Sequence, residues 1–151
     1  SASLFLGAGD PERLLAAPPV GTTQASVDCR RGIQAALKLT AAPARLAAAK
    51  TAASCINTPY ENVTLIQTQS MLGDLDGAFA VLDRPDMTHM LIGLDLSPLF
   101  FQSTRALRAD KRFLPLMEKL GYVDYWKQTK TQPDLCVASE KDIPLCAALR
   151  S

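Results

Sequence analysis

The chain has 151 residues, a net charge of +1 and a single histidine, His89. That length predicts one domain with a core of its own, for which disulfides are optional. The near-neutral charge excludes an overall basic field for nucleic acid, so no direct nucleic-acid binding is expected. One His excludes His-rich metal sites and leaves little room for His-dependent catalysis.

Ala and Leu each occur 22 times, whereas Val and Ile together occur 11 times. Abundant Ala and Leu with little β-branching predicts an all-α chain. No run of 18 apolar residues exists, so no segment is expected to span a bilayer. The chain begins with Ser1, and no basic stretch followed by a long apolar core is present, so no signal peptide is expected. It reads as a processed mature form or a piece of a longer protein, with residues 1–22 as a domain edge.

In chain order, a brief helix is expected over Pro11–Leu15, capped by Asp10 with Pro11 at its first position. Pro18-Pro19 ends it. Residues 23–39 form the first long helix, with Val27, Ile33 and Leu37 on an apolar stripe. After the turn Thr40–Pro43, residues 43–57 form the second, with Leu46, Ala49, Ala53 and Ile56 inward. The short link makes the two antiparallel neighbours. Residues 59–72 make a third helix, closed by Gly73, and residues 75–84 a fourth, capped by Asp74.

The apolar run Met87–Leu96 reads as a helical turn followed by an extended core segment. Residues 98–109 supply one or two helical turns burying Leu99, Phe100, Phe101 and Leu107. Asp110 is placed to cap a helix over 111–120, and residues 122–129 form a last short helix bearing Tyr122, Tyr125 and Trp126. The segment 130–151 is polar and irregular, with at most a terminal helical turn.

Four cysteines, Cys29, Cys55, Cys136 and Cys146, allow three pairings. No Cys-x-x-Cys is present, which disfavours zinc. Buried free thiols are one reading. Two disulfides, Cys29–Cys55 and Cys136–Cys146, are the other, and they imply an oxidising compartment such as the periplasm, against a cytoplasmic alternative. Cys29 and Cys55 lie nearly equal distances from the turn at residues 41 and 42, both ~19 Å along their helices at a ~1.5 Å rise per residue. In an antiparallel hairpin they come side by side, within reach of a disulfide. A Cys136–Cys146 bridge would pin a fraying end.

Two stretches carry a resemblance. Residues 72–83, Leu-Gly-Asp-Leu-Asp-Gly-Ala-Phe-Ala-Val-Leu-Asp, with Pro85 beyond, resemble the helix–turn–helix of a tetratricopeptide repeat, in which Gly sits at the tight turn and Ala where the helices touch. Residues 105–136 bring together Arg105 to Phe113, Leu120-Gly121, Tyr125-Trp126 and Pro133-Asp134-Leu135-Cys136. They resemble the C-terminal end of tetratricopeptide arrays that follow winged-helix DNA-binding domains or nucleotide-cyclase domains in bacterial regulators. The resemblance covers about half of the chain; Lys111 and Leu135 depart from the usual Pro and Phe. It implies a short α-solenoid of stacked antiparallel hairpins over residues 23–129 with a C-terminal capping helix. It also implies a structural role for Arg112, paired with Asp110 or a carboxylate of an adjacent helix.

Candidate binding residues are few. Arg105, Arg108, Lys111 and Arg112 form a basic cluster that could receive an anionic partner or simply face solvent. Tyr125 and Trp126 could stack on a ligand or anchor the last helix. Asp74, Asp76, Asp83 and Asp86 sit at helix ends, where Asp serves as a cap more often than as acid–base machinery. No Gly-x-Ser-x-Gly and no phosphate-binding Gly loop is present. The resemblance implies a noncatalytic interaction or sensory module of a larger bacterial regulator, of a kind that includes membrane-tethered members, and no cofactor and no metal are expected. Its partner would be a protein or peptide in a helical groove, or a second copy in a homodimer. The alternative is a stand-alone periplasmic helical protein holding a small apolar ligand among Met87, Met90, Leu94 and Phe100. A small hydrolase or lyase using converging carboxylates is a third reading.

Overall fold

The computed structural model describes residues 11–16, 18–93 and 95–151. The helices are α1 (Pro11–Ala16), α2 (Gln24–Ala36), α3 (Ala42–Ala52), α4 (Asn62–Leu72), α5 (Leu75–Leu82), α6 (Pro85–Gly93), α7 (Arg105–Ala109), α8 (Phe113–Lys119), α9 (Tyr122–Thr129) and α10 (Pro144–Arg150). Short 3-10 turns cover Pro59–Glu61, Ser97–Phe100, Gln102–Thr104 and Asp134–Cys136. Among the described residues there is no strand, and no helix is long and apolar enough to cross a membrane. The chain divides into two compact units, residues 1–106 and 107–151.

In the first unit, α4 is the centre, packing on α1, α3, α5 and the Gln102–Thr104 turn. Leu65, Ile66 and Leu72 supply its apolar contacts, yet Thr64, Gln67, Thr68, Gln69 and Ser70 are also buried. Burial on nearly every side is why this helix lacks the one-sided stripe of a surface helix. Its end is a Schellman closure: Gly73 takes φ 91°, Asp74 N–H donates to Gln69 O at 2.9 Å and Gly73 N–H to Ser70 O at 3.3 Å. Only a residue without Cβ adopts that φ at little cost. The Asp74 carboxylate then accepts from Gly77 N–H at 3.0 Å and starts α5, as expected from the sequence.

The α2–α3 hairpin stands beside this centre. Thr23 caps α2 by accepting from Ser26 N–H at 3.2 Å. Ile33 and Ala36 of α2 and Ala49 and Ala52 of α3 are buried, and the two helices pack on each other through faces rich in small residues. Arg45 ties the turn down: Nη1 donates to Leu37 O at 3.1 Å and Leu39 O at 2.7 Å, and Nη2 to Met71 O at 2.5 Å. One guanidinium thus satisfies carbonyls beyond α2 and at the end of α4.

Several sequence expectations differ from the observed structure, and Leu46 and Ala53, expected to face inward, are exposed. The second helix ends at Ala52, short of Cys55, because a turn already forms there with Cys55 N–H and Ile56 N–H both bonded to Ala52 O. The run after Pro85 is helical through Gly93 and shows no extended segment among its described residues; Leu94 lies outside them, as does the expected cap Asp10. Asp110 sits before α8 but accepts from Arg112 N–H at 2.9 Å instead of capping deeper amides.

The second unit is small. Here α8 packs on α9 and α10, and α9 on α10, over Phe113, Leu116, Met117, Leu120, Val123 and Leu145. Helix α9 keeps the expected bounds. The segment after residue 130 is more ordered than its polar sequence suggests: α10 begins at Pro144, and its Leu145 and Cys146 are fully buried.

Candidate functional site

Both expected cysteine pairs are present at disulfide distance. Cys29 and Cys55 have Cα atoms 6.2 Å apart, and Cys136 and Cys146 5.3 Å apart. The first joins α2 to the turn after α3, and the second joins the Asp134–Cys136 turn to α10.

The basic cluster does not gather into one patch. Arg105 is exposed at the start of α7. Arg108 is 2% exposed, and its Nε and Nη2 grip Glu140 at 2.9 and 2.8 Å. A two-pronged grip of this kind is the strong form of a guanidinium–carboxylate pair. Arg112 closes on Asp110, Nε to Oδ1 at 2.9 Å and Nη2 to Oδ2 at 3.0 Å. The side-chain hydrogen bond from Arg112 is the main cause that lowers the Asp110 titration below its ordinary range; burial opposes it, and the Arg112 backbone N–H and the positive charges of Arg112 and Lys111 add to the lowering. Two of the three arginines are therefore engaged with neighbouring carboxylates.

Tyr125 is exposed, and Trp126 is half-buried with its ring centroid 5.8 Å from that of Tyr122. Trp126 lines an open recess of about 500 Å³ with Lys127, Lys130 and Arg150. Met87 and Met90 line a gap with Leu91 and Leu99 that is too narrow for a water molecule, and Phe100 is not on its wall. Gln67 enters this apolar lining with both ends of its amide unpartnered. Among the described residues no three His, Cys, Asp or Glu side chains gather to hold a metal ion.

A second open recess lies in the first unit and involves residues outside the sequence-predicted set. An open recess of about 480 Å³ sits at the start of α2, bounded by the Pro19–Thr22 turn, the Cys29–Cys55 bridge and the segment Ser54–Thr58. The turn is closed by Thr22 N–H donating to Pro19 O at 3.2 Å, with Gly21 at φ 86°, the positive φ that this turn position requires. It leaves Val20 fully exposed on the rim.

Arg30 forms part of the wall and is 3% exposed. Its Nη2 donates to Cys55 O at 2.9 Å and to Glu61 Oε1, while Glu61 Oε2 accepts from Thr58 at 2.8 Å. Arg30 Nε and Nη1 have no acceptor. A buried donor left unpaired costs about 1–3 kcal/mol, more on a charged group. The sequence did hold a signal for this residue: Arg30 falls on the stripe Val27, Ile33, Leu37, at a position that faces the core.

Compared with protein-family models, curated proteins and solved structures, the chain matches none.

Proposed function

We propose that the chain is a noncatalytic interaction or sensory module of a larger bacterial regulatory protein, built from helical hairpins of the tetratricopeptide kind, and that it recognises its occupant in the recess at the start of α2. The observation that carries this reading is an open, mixed polar and apolar recess whose ionisable groups are an arginine and a glutamate already bonded to each other. Such a lining offers shape and hydrogen bonds to an occupant. It presents no free acid–base pair of the kind that turnover requires.

The short connections from α2 to α3 and from α4 to α5 support the hairpin reading, as does Gly73 at its tight turn. The two cystine pairs are compatible with an extracytoplasmic location and support a periplasmic placement of the module.

The test is a screen of small metabolites and short peptides against the ¹⁵N-labelled, oxidised chain by NMR. Occupants are expected to move the backbone signals of Val20, Gly21, Ala25 and Ser54 and to be recovered chemically unchanged. Ligands that map only elsewhere, or that are converted during incubation, would overturn the proposal.

A further inference from the structure

We infer that the open recess of the second unit, at the ends of α9 and α10, binds a small phosphate ester of a ring compound, a sugar phosphate or a nucleotide. The phosphate meets Lys127, Lys130 and Arg150, and the ring lies against Trp126. The inference does not rest on the recess at the start of α2.

The cations come first. Lys127, Lys130 and Arg150 line the recess of about 500 Å³, and its lining holds no acidic side chain. All three are exposed, and among the described residues no carboxylate pairs with them. Arg150 is nonetheless held in place, because its Nη1 donates to Lys141 O at 2.6 Å. These charges are open to solvent, where an occupant can reach them. The negative ends of α9 and α10 offset part of them. What remains matches the about 1.5–2 negative charges of a phosphate monoester at neutral pH better than the single charge of a carboxylate.

Lys130 supplies a second observation, independent of charge. It is the only non-glycine residue with a positive φ among the described residues, at 53°. This conformation closes α9: Thr131 N–H donates to Trp126 O at 3.0 Å and Lys130 N–H to Lys127 O at 3.4 Å. At the corresponding end of α4 the chain uses Gly73, at φ 91°. A residue with a Cβ is strained in such a turn, and strain kept on the wall of a recess points to a use for the side chain. Lysine in place of glycine strains the turn and adds a cation to the recess.

The aromatic wall sets the rest of the occupant. Trp126 is half-buried, and its ring is braced by that of Tyr122, the centroids 5.8 Å apart. An indole offers a flat surface on which a nucleobase or the C–H face of a sugar stacks. Leu149 adds apolar surface, and Gln132 adds donors and acceptors for ring substituents. The volume falls within the range of small-molecule sites.

Trp126 is the single tryptophan of the chain, so its fluorescence reports on this site alone. The test titrates the oxidised chain with glucose phosphate and with adenosine monophosphate, which distinguish a sugar ring from a base. Inorganic phosphate, glucose and adenosine serve as counterparts. At least one ester is expected to change the fluorescence saturably, at a Kd at least tenfold below those of inorganic phosphate and of its own unphosphorylated parent. Lys130→Gly is expected to raise the melting temperature by about 2–4 °C, because it relieves the turn, and to weaken binding of that ester at least fivefold. Lys127→Gln is expected to keep the melting temperature and weaken binding at least threefold.

No saturable response to either ester overturns the inference. So does inorganic phosphate binding as tightly as both esters, which would reduce the recess to an adventitious anion site. Undiminished binding in Lys130→Gly overturns it as well. If Lys130→Gly melts lower than the parent chain, the strain argument falls and Lys127→Gln decides: retained affinity there overturns the inference, and loss of affinity at an unchanged melting temperature upholds it.

Discussion

Each unit of the molecule buries one arginine against one glutamate and carries one disulfide near it, and the two arrangements differ in completeness. In the second unit, Arg108 spends Nε and Nη2 on both oxygens of Glu140 and leaves no buried nitrogen without an acceptor. In the first, Arg30 spends only Nη2, on Glu61 and a carbonyl, and leaves Nε and Nη1 unpaired beside an open recess. Equal burial and the same partner chemistry therefore give two outcomes. A saturated pair fastens chain segments 32 residues apart. An unsaturated pair leaves two buried donors uncompensated, a cost that the packing around Arg30 must offset.

Substitutions can break or sharpen this contrast. The largest effect is expected for Arg108→Met, which strands a buried Glu140 carboxylate and should cost about 3–5 kcal/mol in chemical denaturation. Replacing each arginine by lysine separates the two sites. Arg108→Lys loses the two-pronged geometry and should cost about 2–3 kcal/mol, whereas Arg30→Lys loses only single-nitrogen contacts and should cost about 1 kcal/mol. Equal costs would contradict the contrast.

The disulfides extend the comparison. They close loops with sequence separations of 26 and 10 residues, so paired Cys→Ser replacement should cost about 3.5 and about 2.7 kcal/mol on chain-entropy grounds. Thermal melts of the two double variants would rank them. Gln67→Leu should instead stabilise the first unit by about 1–3 kcal/mol, because it removes an amide that is buried without partners among apolar side chains.

The smallest effect concerns pH. The folded Asp110 titrates below its ordinary value, so its contribution to stability is full at neutral pH and is lost as the pH falls through that lowered value. Arg112→Gln should move the Asp110 carboxyl titration, followed by ¹³C NMR, upward towards the ordinary Asp range and raise the acid-unfolding midpoint. An unmoved titration would show that Arg112 does not hold the carboxylate.

The sequence made local structure legible because local rules produce it. The Cys29–Cys55 pair followed from equal spacing about one turn, Gly73 from the need for a left-handed cap, and α9 from its own residues. The partners of Arg30 and Arg108 lie 31 and 32 residues away, and no periodic pattern encodes such pairings. The basic cluster was misleading for that reason: Arg108 looks like its neighbours until Glu140 arrives from the far end of the unit. The polar residues of α4 were hidden by the same logic, since a helix surrounded on most sides has no polar face to reveal its orientation. Pro144 as a first helical residue was a readable sign of α10, but the polar stretch before it outweighed that sign.

The enclosure of α4 has a kinetic meaning. Its neighbours come from both earlier and later parts of the chain, so its amides cannot meet solvent until several elements leave together. Deuterium should reach the Leu65–Ser70 backbone last, at rates set by whole-unit opening, while the exposed ends of α2 and α3 fill early through fraying. The innermost rod would then serve as the molecule's own clock for cooperative disassembly.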